Sequence, residues 1–200
     1  LPEYGYFRDE YYYISIADQF SFTNLDMLPL SPLYLKLIIF ILGYSIKTIH
    51  FASSFLGALS LVITCLISKE LGGKKYAIFL TGLFMIFSGF LPFGSIFSYD
   101  SIDFLVSIAT LYILIKIFKT NNQNLWYYAG IVLGLGLMNK LTILFFGFGI
   151  FVSILLVHHR KMLKSKQIWF AGIIALLFLV PYLIWQLQND WYFINFASNY

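Results

Sequence analysis

Apolar runs of about 18 or more residues recur along this chain, and each is long enough to cross a bilayer as an α-helix. Hydrophobic residues make up 60% of the 200 residues, and charged residues only 11%. Inside lipid every backbone polar group needs a partner within the protein, which helices provide. The sequence therefore predicts an all-α polytopic membrane protein and excludes the soluble classes.

Six membrane spans are predicted between residues 46 and 188. They are Ile49–Ser68, Tyr76–Ile96, Ile102–Phe118, Leu125–Met138, Leu141–Val157 and Ile168–Leu187. Gly130, Gly134 and Gly136 suit the fourth span to close contact with another helix. Pro181 should kink the sixth span near its far end.

The first 45 residues form a polar, aromatic outer segment, and residues 189–200 should begin the next outer loop. Asp9–Gln19 is predicted to form a short amphipathic helix. Its apolar face would be formed by Tyr13, Ile16 and Phe20. Because no signal peptide precedes this outer segment, we expect the chain to be a fragment that lacks at least one earlier helix.

A second short helix is predicted at Leu33–Tyr44, where an apolar run of only a dozen residues carries Lys36. Such a run is too short for a full crossing, so we interpret it as interfacial or re-entrant. Pro32 suits the start of this helix and Gly43 its end.

Charged side chains are sorted onto opposite sides of the predicted spans. The basic residues of alternate loops are Lys69, Lys74, Lys75, Lys116, Lys119, Arg160, Lys161, Lys164 and Lys166. The positive-inside rule makes that side cytoplasmic and the protein a multi-pass protein of the cell (inner) membrane. The acids of the other side are Glu3, Asp9, Glu10, Asp18, Asp26, Asp100, Asp103 and Asp190. This sorting indicates a lipid partner and no nucleic acid.

The stretch from Tyr4 to Tyr13 concentrates an arginine, two adjacent carboxylates and five tyrosines beside the first hydrophobic block. A charged, aromatic cluster at a membrane surface suits a polar substrate at the boundary of headgroups and water. The alternative is an interfacial loop with a tyrosine belt and solvated charges.

Two further outer elements are candidates for chemistry. Asp100 and Asp103 would share one face at the start of a helix, where acidic residues are also common as caps. Lys140 is a basic residue on the otherwise acidic side, at the height of the lipid phosphates. This position suits binding of a phosphate group, and the alternative is that the lysine snorkels toward water. Paired acids are compatible with a divalent metal, but no complete ligand set is visible and no cofactor is certain.

The remaining polar candidates are weaker. No Asp, Glu, Lys or Arg lies in the middle of a predicted span, which counts against a carrier. His158 and His159 belong to a basic loop that faces anionic headgroups. His50 and the single cysteine, Cys65, are interpreted as structural residues.

Five motifs follow one another along the chain: Tyr4–Glu10, Asp26–Pro32, Phe97–Asp100, Gly134–Leu141 and Pro181–Trp191. In this order they resemble bacterial polytopic glycosyltransferases of family 39, the dolichyl-phosphate-mannose-protein mannosyltransferase-like group. The resemblance implies a GT-C-like transmembrane helix bundle with an extracytoplasmic loop carrying short interfacial helices. It also implies a polyprenyl-phosphate-linked sugar donor and an unknown acceptor that is a lipid, a glycan or a protein.

The resemblance assigns roles to several of these residues. Asp9, with Glu10 beside it, matches the catalytic acids of the first outer loop. Asp100 matches an aspartate of the same site, and Lys140 matches a lipid-phosphate contact. Met27 stands in a motif where family members commonly have a basic residue, a histidine or a proline pair, so no phosphate contact is assigned there.

The chemistry of an inverting transfer suits these side chains. A carboxylate must take the proton of the acceptor, and cations must hold the departing phosphate. Arg8 and Lys140 suit the second role, Tyr6 suits stacking on a sugar, and Asp103 is a further substrate-binding candidate. Two other functions stay open: a lipid-linked sugar transporter or flippase, and a non-catalytic membrane scaffold.

Overall fold

The computed structural model describes residues 5–20, 28–88, 94–156 and 162–198, and within these ranges it contains α-helices and no β-strand. The helices are α1 (Arg8–Gln19), α2 (Leu30–Leu42), α3 (Ile46–Glu70), α4 (Lys75–Phe87), α5 (Tyr99–Thr120), α6 (Leu125–Leu137), α7 (Ile143–Leu156), α8 (Lys166–Leu177), α9 (Val180–Gln188) and α10 (Tyr192–Ser198). Residues of the sequence analysis that lie outside the described ranges are Glu3, Tyr4, Asp26, Met27, His158, His159, Arg160 and Lys161.

Two helices, α3 and α5, are long and apolar enough to cross a membrane, and the bent pair α8 and α9 makes a third candidate. The helices α2, α4, α6 and α7 are apolar but shorter. The helical membrane-protein class is therefore confirmed, and each predicted span contains a helix. The second predicted span, Tyr76–Ile96, is too long as a single helix, because α4 ends at Phe87 and Gly94 begins a turn.

The predicted kink in the sixth span is present. Helix α8 ends at Leu177, α9 begins at Val180, and the chain bends by 41° between them. Pro181 lies in the first turn of α9, where its missing N–H group costs no hydrogen bond.

The predicted close contact of the glycine-rich span is also present. A Cβ atom built on Gly130 would lie 2.5 Å from the backbone oxygen of Ala171 in α8. A Cβ atom on Gly134 would meet the ring of Phe178. Only glycine lets the two backbones approach so closely.

The bundle has two chemically different ends. At one of them, which we call the basic end, Glu70 at the end of α3 accepts hydrogen bonds from Lys116 (3.1 Å) and Lys119 (2.9 Å) near the end of α5. At the other, the acidic end, α1 contacts the second turn of α3 and the segment that leads into α5. The helices α3 and α5 therefore run parallel, each from the acidic end to the basic end, as the charge sorting predicts.

Helix α1 forms where the amphipathic pattern predicts it, but its buried face is different. Glu10, Tyr13, Ile14 and Ala17 are buried, whereas Ile16 is only partly buried. The predicted face was correct at Tyr13, which is buried, but it missed Glu10 because it counted apolar residues alone. The carboxylate of Glu10 lies inside and receives backbone hydrogen bonds.

Helix α2 stays at the acidic end, as expected of an interfacial or re-entrant segment. At its start the backbone N–H of Leu30 donates to the carbonyl of Met138 at 2.9 Å. Beyond its end Tyr44 lies near Tyr6, and the phenol of Tyr44 contributes to raising the pKa of the Tyr6 phenol after the larger effect of burial. Gly43 terminates the helix with a φ of 81°, a left-handed conformation that glycine adopts without strain.

Replacing Gly130 with alanine should destabilise the bundle, because the added methyl group would strike the backbone of Ala171. Overpacking of this kind costs about 1–3 kcal/mol. We expect the unfolding temperature of the detergent-solubilised protein, measured by tryptophan fluorescence, to be lower than that of the wild type.

The matched control is Gly172→Ala in the same helix pair, where no atom lies within 4 Å of the added carbon. It should leave the unfolding temperature unchanged or raise it, since alanine favours helix over glycine. Equal unfolding temperatures for the two variants would contradict the close contact of α6 and α8.

Candidate active site

Lys140 and Asp100 form an ion pair at the acidic end of the bundle. Lys140 follows α6 and Asp100 lies in the first turn of α5, and their Nζ and Oδ1 atoms are 2.8 Å apart. The side chains remain 32% and 40% exposed, so a ligand can reach both. The Nζ atom also lies 4.6 Å from the centre of the Tyr99 ring, within range of a cation–π contact.

The electrostatic surroundings keep Lys140 charged. Partial burial by itself lowers the pKa of Lys140, but the hydrogen bond and the negative charge of Asp100 outweigh it. With a smaller effect from Asp103, the pKa of Lys140 is raised above its ordinary value. The site therefore holds a permanent cation at neutral pH.

The neighbouring Asn139 fixes this lysine in place. Its buried side chain accepts a hydrogen bond from the Ser31 hydroxyl at 2.5 Å and donates one to the Tyr99 carbonyl at 2.8 Å. The turn after α6 is thus bound to the starts of both α2 and α5. Sequence reasoning singled out the lysine and missed this role of Asn139, although an amide between an apolar span and a lysine was a visible signal.

Asp103 lies one turn after Asp100 on α5 and is partly buried. Its Oδ1 atom is buried and has no hydrogen-bond partner among the residues that the structure describes. Among those residues no group of three or more His, Cys, Asp or Glu side chains is placed to hold a metal ion. Asp103 therefore offers an unused acceptor beside the ion pair.

Tyr13 joins α1, which carries Asp9, to the start of α5, which carries Asp100. Its ring packs edge-on against Phe97 and Tyr99, with centroid distances of 5.8 and 5.6 Å. Burial raises the pKa of the Tyr13 phenol, and the negative charges of Asp100 and Asp9 raise it further. These ring contacts bring α1 against the segment that begins α5, so the first two outer elements meet at the acidic end.

The two acids of the first loop have opposite environments. Asp9 is exposed and makes no ion pair or hydrogen bond with a described residue, whereas Glu10 is fully buried. The Oε1 atom of Glu10 accepts from the Phe97 N–H at 2.9 Å, and Oε2 accepts from the Phe7 N–H at 2.9 Å. The catalytic roles predicted for both stay predictions, and the burial of Glu10 weighs against its own.

Arg8 and Tyr6 lie beside these acids at the start of α1. Arg8 is exposed and forms no ion pair within the described part of the chain. Tyr6 packs edge-on against Tyr11, with ring centroids 5.1 Å apart. The structure therefore places every predicted site residue at the acidic end, with direct contact between Lys140 and Asp100.

Comparison with known proteins gives one match. The family model described as dolichyl-phosphate-mannose-protein mannosyltransferase matches residues 26–185, which is most of the chain. Asp100, Asp103 and Lys140 lie within the matched region, and Asp9 and Glu10 precede it. Searches of curated proteins and of solved structures gave no match. The chain belongs to the dolichyl-phosphate-mannose-protein mannosyltransferase family of membrane glycosyltransferases, which is of the GT-C type.

Proposed function

We propose that the chain forms part of an integral-membrane glycosyltransferase that moves a sugar from a polyprenyl-phosphate donor to an extracytoplasmic acceptor, with inversion. The observation that carries this proposal is the half-exposed ion pair of Lys140 and Asp100, at the same end of the bundle as α1, which carries Asp9 in its first turn. A fixed cation and a nearby unpaired carboxylate are the two groups that an inverting transfer from a phosphate needs.

Asp9 acts as the base in this proposal. Because its carboxylate is exposed and unpaired among described residues, it is free to accept the proton of an incoming hydroxyl group. Its negative charge also stabilises the oxocarbenium-like centre that forms at the sugar. The acceptor oxygen then bonds to the anomeric carbon while the bond to the donor phosphate breaks.

Lys140 holds the departing phosphate. A phosphate competes well with Asp100 for the ammonium group, because it offers more acceptor oxygens and more negative charge. Asp100 keeps Lys140 oriented until the donor arrives, and the exposed guanidinium of Arg8 adds a second cation. Charge that develops on the leaving phosphate is thereby stabilised.

Two other side chains suit the sugar itself. The unpaired Oδ1 atom of Asp103 is an acceptor for a sugar hydroxyl, since buried carboxylate oxygens gain from a donor. Tyr6 offers an aromatic face of the kind that stacks on sugar rings, at the start of the same loop as Asp9. The acceptor belongs to the lipid, glycan or protein components of the cell envelope.

In the proposed orientation this site lies on the extracytoplasmic face of a bacterial inner membrane. Support comes from the charge distribution, because the basic end of the bundle carries Lys69, Lys116 and Lys119 while the site is acidic. A transporter would instead need a polar passage. A cavity of about 270 Å³ between α5, α6, α7 and α8 is lined almost entirely by apolar side chains.

Asp9→Asn should remove transfer while leaving the protein inserted and folded. The amide cannot accept the proton, and loss of a general base costs about 100-fold or more in kcat. The measurement is incorporation of radiolabelled sugar from a polyprenyl-phosphate donor into cell-envelope acceptors, with the full-length protein in membranes. Asp18→Asn, an exposed acid on the same helix, is the control and should keep its activity. Near-normal turnover of Asp9→Asn would remove Asp9 from the mechanism.

Lys140→Gln should lower kcat/KM for the donor by about 100-fold, as the loss of a group that stabilises developing charge does. Lys140→Arg should keep part of the activity, because it retains the charge. Lys47→Gln, which removes an exposed cation at the start of α3, serves as the control for net charge. If Lys140→Gln and Lys47→Gln reduced kcat/KM equally, a specific phosphate contact at Lys140 would be refuted.

A further inference from the structure

We infer that Glu10 is a positioning residue that locks the start of α1 to the segment leading into α5. This inference deepens the proposed function and rests on it, because the groups that Glu10 would position are Asp9 and Asp100. It gives the two adjacent acids of the first loop separate tasks. Asp9 performs the chemistry, and Glu10 holds Asp9 in place.

The carboxylate of Glu10 joins two parts of the chain that are 87 residues apart in sequence. One oxygen accepts the backbone N–H of Phe7, which is the reach-back that a glutamate at the third position of a helix makes to the N-cap residue. The other oxygen accepts the backbone N–H of Phe97, at the same distance of 2.9 Å.

A third element contributes to this contact. The Nε2 atom of His50, in the second turn of α3, lies 3.5 Å from the Oε2 atom of Glu10. Glu10 itself has no exposed surface, while the His50 side chain is 39% exposed. The carboxylate is thus enclosed by α1, α3 and the Phe97 segment, where an acceptor hydroxyl group cannot reach it.

These hydrogen bonds are strong, and they are hard to replace. Bonds from backbone amides to an ionised carboxylate are shorter and stronger than neutral ones. Phe97 is fully buried, and its ring packs against those of Tyr13 and Tyr34. Without Glu10 its amide would be left without an acceptor in a water-poor environment, which is unfavourable.

The position of Glu10 in the chain gives this contact its functional meaning. Asp9 directly precedes Glu10, and Asp100 follows Phe97 by three residues. Because Glu10 binds the Phe97 amide, it sets the separation between the proposed base and the residue that orients Lys140. Small displacements of reacting groups reduce rates strongly, so the contact controls turnover without taking part in the chemistry.

The test compares Glu10→Gln, Glu10→Ala and Asp9→Asn in the full-length protein in membranes. A glutamine can accept one of the two amides and an alanine neither. We expect kcat to fall about tenfold for Glu10→Gln and further for Glu10→Ala, as hydrogen bonds to the backbone are lost. Asp9→Asn should abolish transfer.

Hydrogen–deuterium exchange supplies a readout that does not depend on activity. Exchange of the peptides that contain Phe7 and Phe97 should rise in the order wild type, Glu10→Gln, Glu10→Ala. It should remain at the wild-type level in Asp9→Asn and in the control Asp18→Asn. Unchanged exchange in α6 and α8 would show that the bundle itself stays folded in each variant.

Two results would overturn the inference. In the first, Glu10→Gln is as inactive as Asp9→Asn while exchange at Phe97 is unchanged, which would make Glu10 a chemical participant. In the second, Glu10→Ala changes neither exchange nor transfer. If the wild-type protein transferred no sugar at all, the proposed function would fail, and exchange at Phe97 would still decide whether Glu10 joins the two segments.

Discussion

The buried amide of Asn139 supports the rest of the acidic end. It joins a hydroxyl group 108 residues earlier in the chain, that of Ser31, to the backbone of Tyr99. In a medium of low polarity an unpaired amide is costly, so the three segments must stay together for both the oxygen and the nitrogen of Asn139 to keep a partner. Lys140 therefore meets Asp100 in a geometry set by the backbone and not by its own flexible side chain.

Periodicity and residue type predicted most of the helical architecture. Gly43 and Pro181 act where general backbone rules place them, and the glycines of α6 meet α8 closely. These features depend on local stereochemistry or on the absence of a side chain, which a sequence displays directly. The charge sorting likewise anticipated that acidic loops would gather at one end of the bundle.

The buried polar contacts were beyond the reach of such rules. Nothing in the pattern distinguishes Asp9, which stays exposed, from Glu10, which is enclosed. The difference arises because the amide of Phe97, far away in the chain, needs an acceptor at that point. For the same reason the buried face of α1 includes a charged residue, Glu10. A prediction based only on apolar side chains therefore assigns part of that face incorrectly.

The hydrogen bonds of Glu70 with Lys116 and Lys119 affect how the basic end of the bundle interacts with the bilayer. The side-chain carboxylate of Glu70 accepts hydrogen bonds from the ammonium groups of Lys116 and Lys119, and its backbone carbonyl accepts a further one from Lys119. These two cations are partly neutralised within the protein and contribute less to attraction by anionic phospholipids. Binding to such headgroups then falls to the cations outside this contact, which are Lys69, Lys74 and Lys75 around the junction of α3 and α4 and Lys164 and Lys166 next to the start of α8.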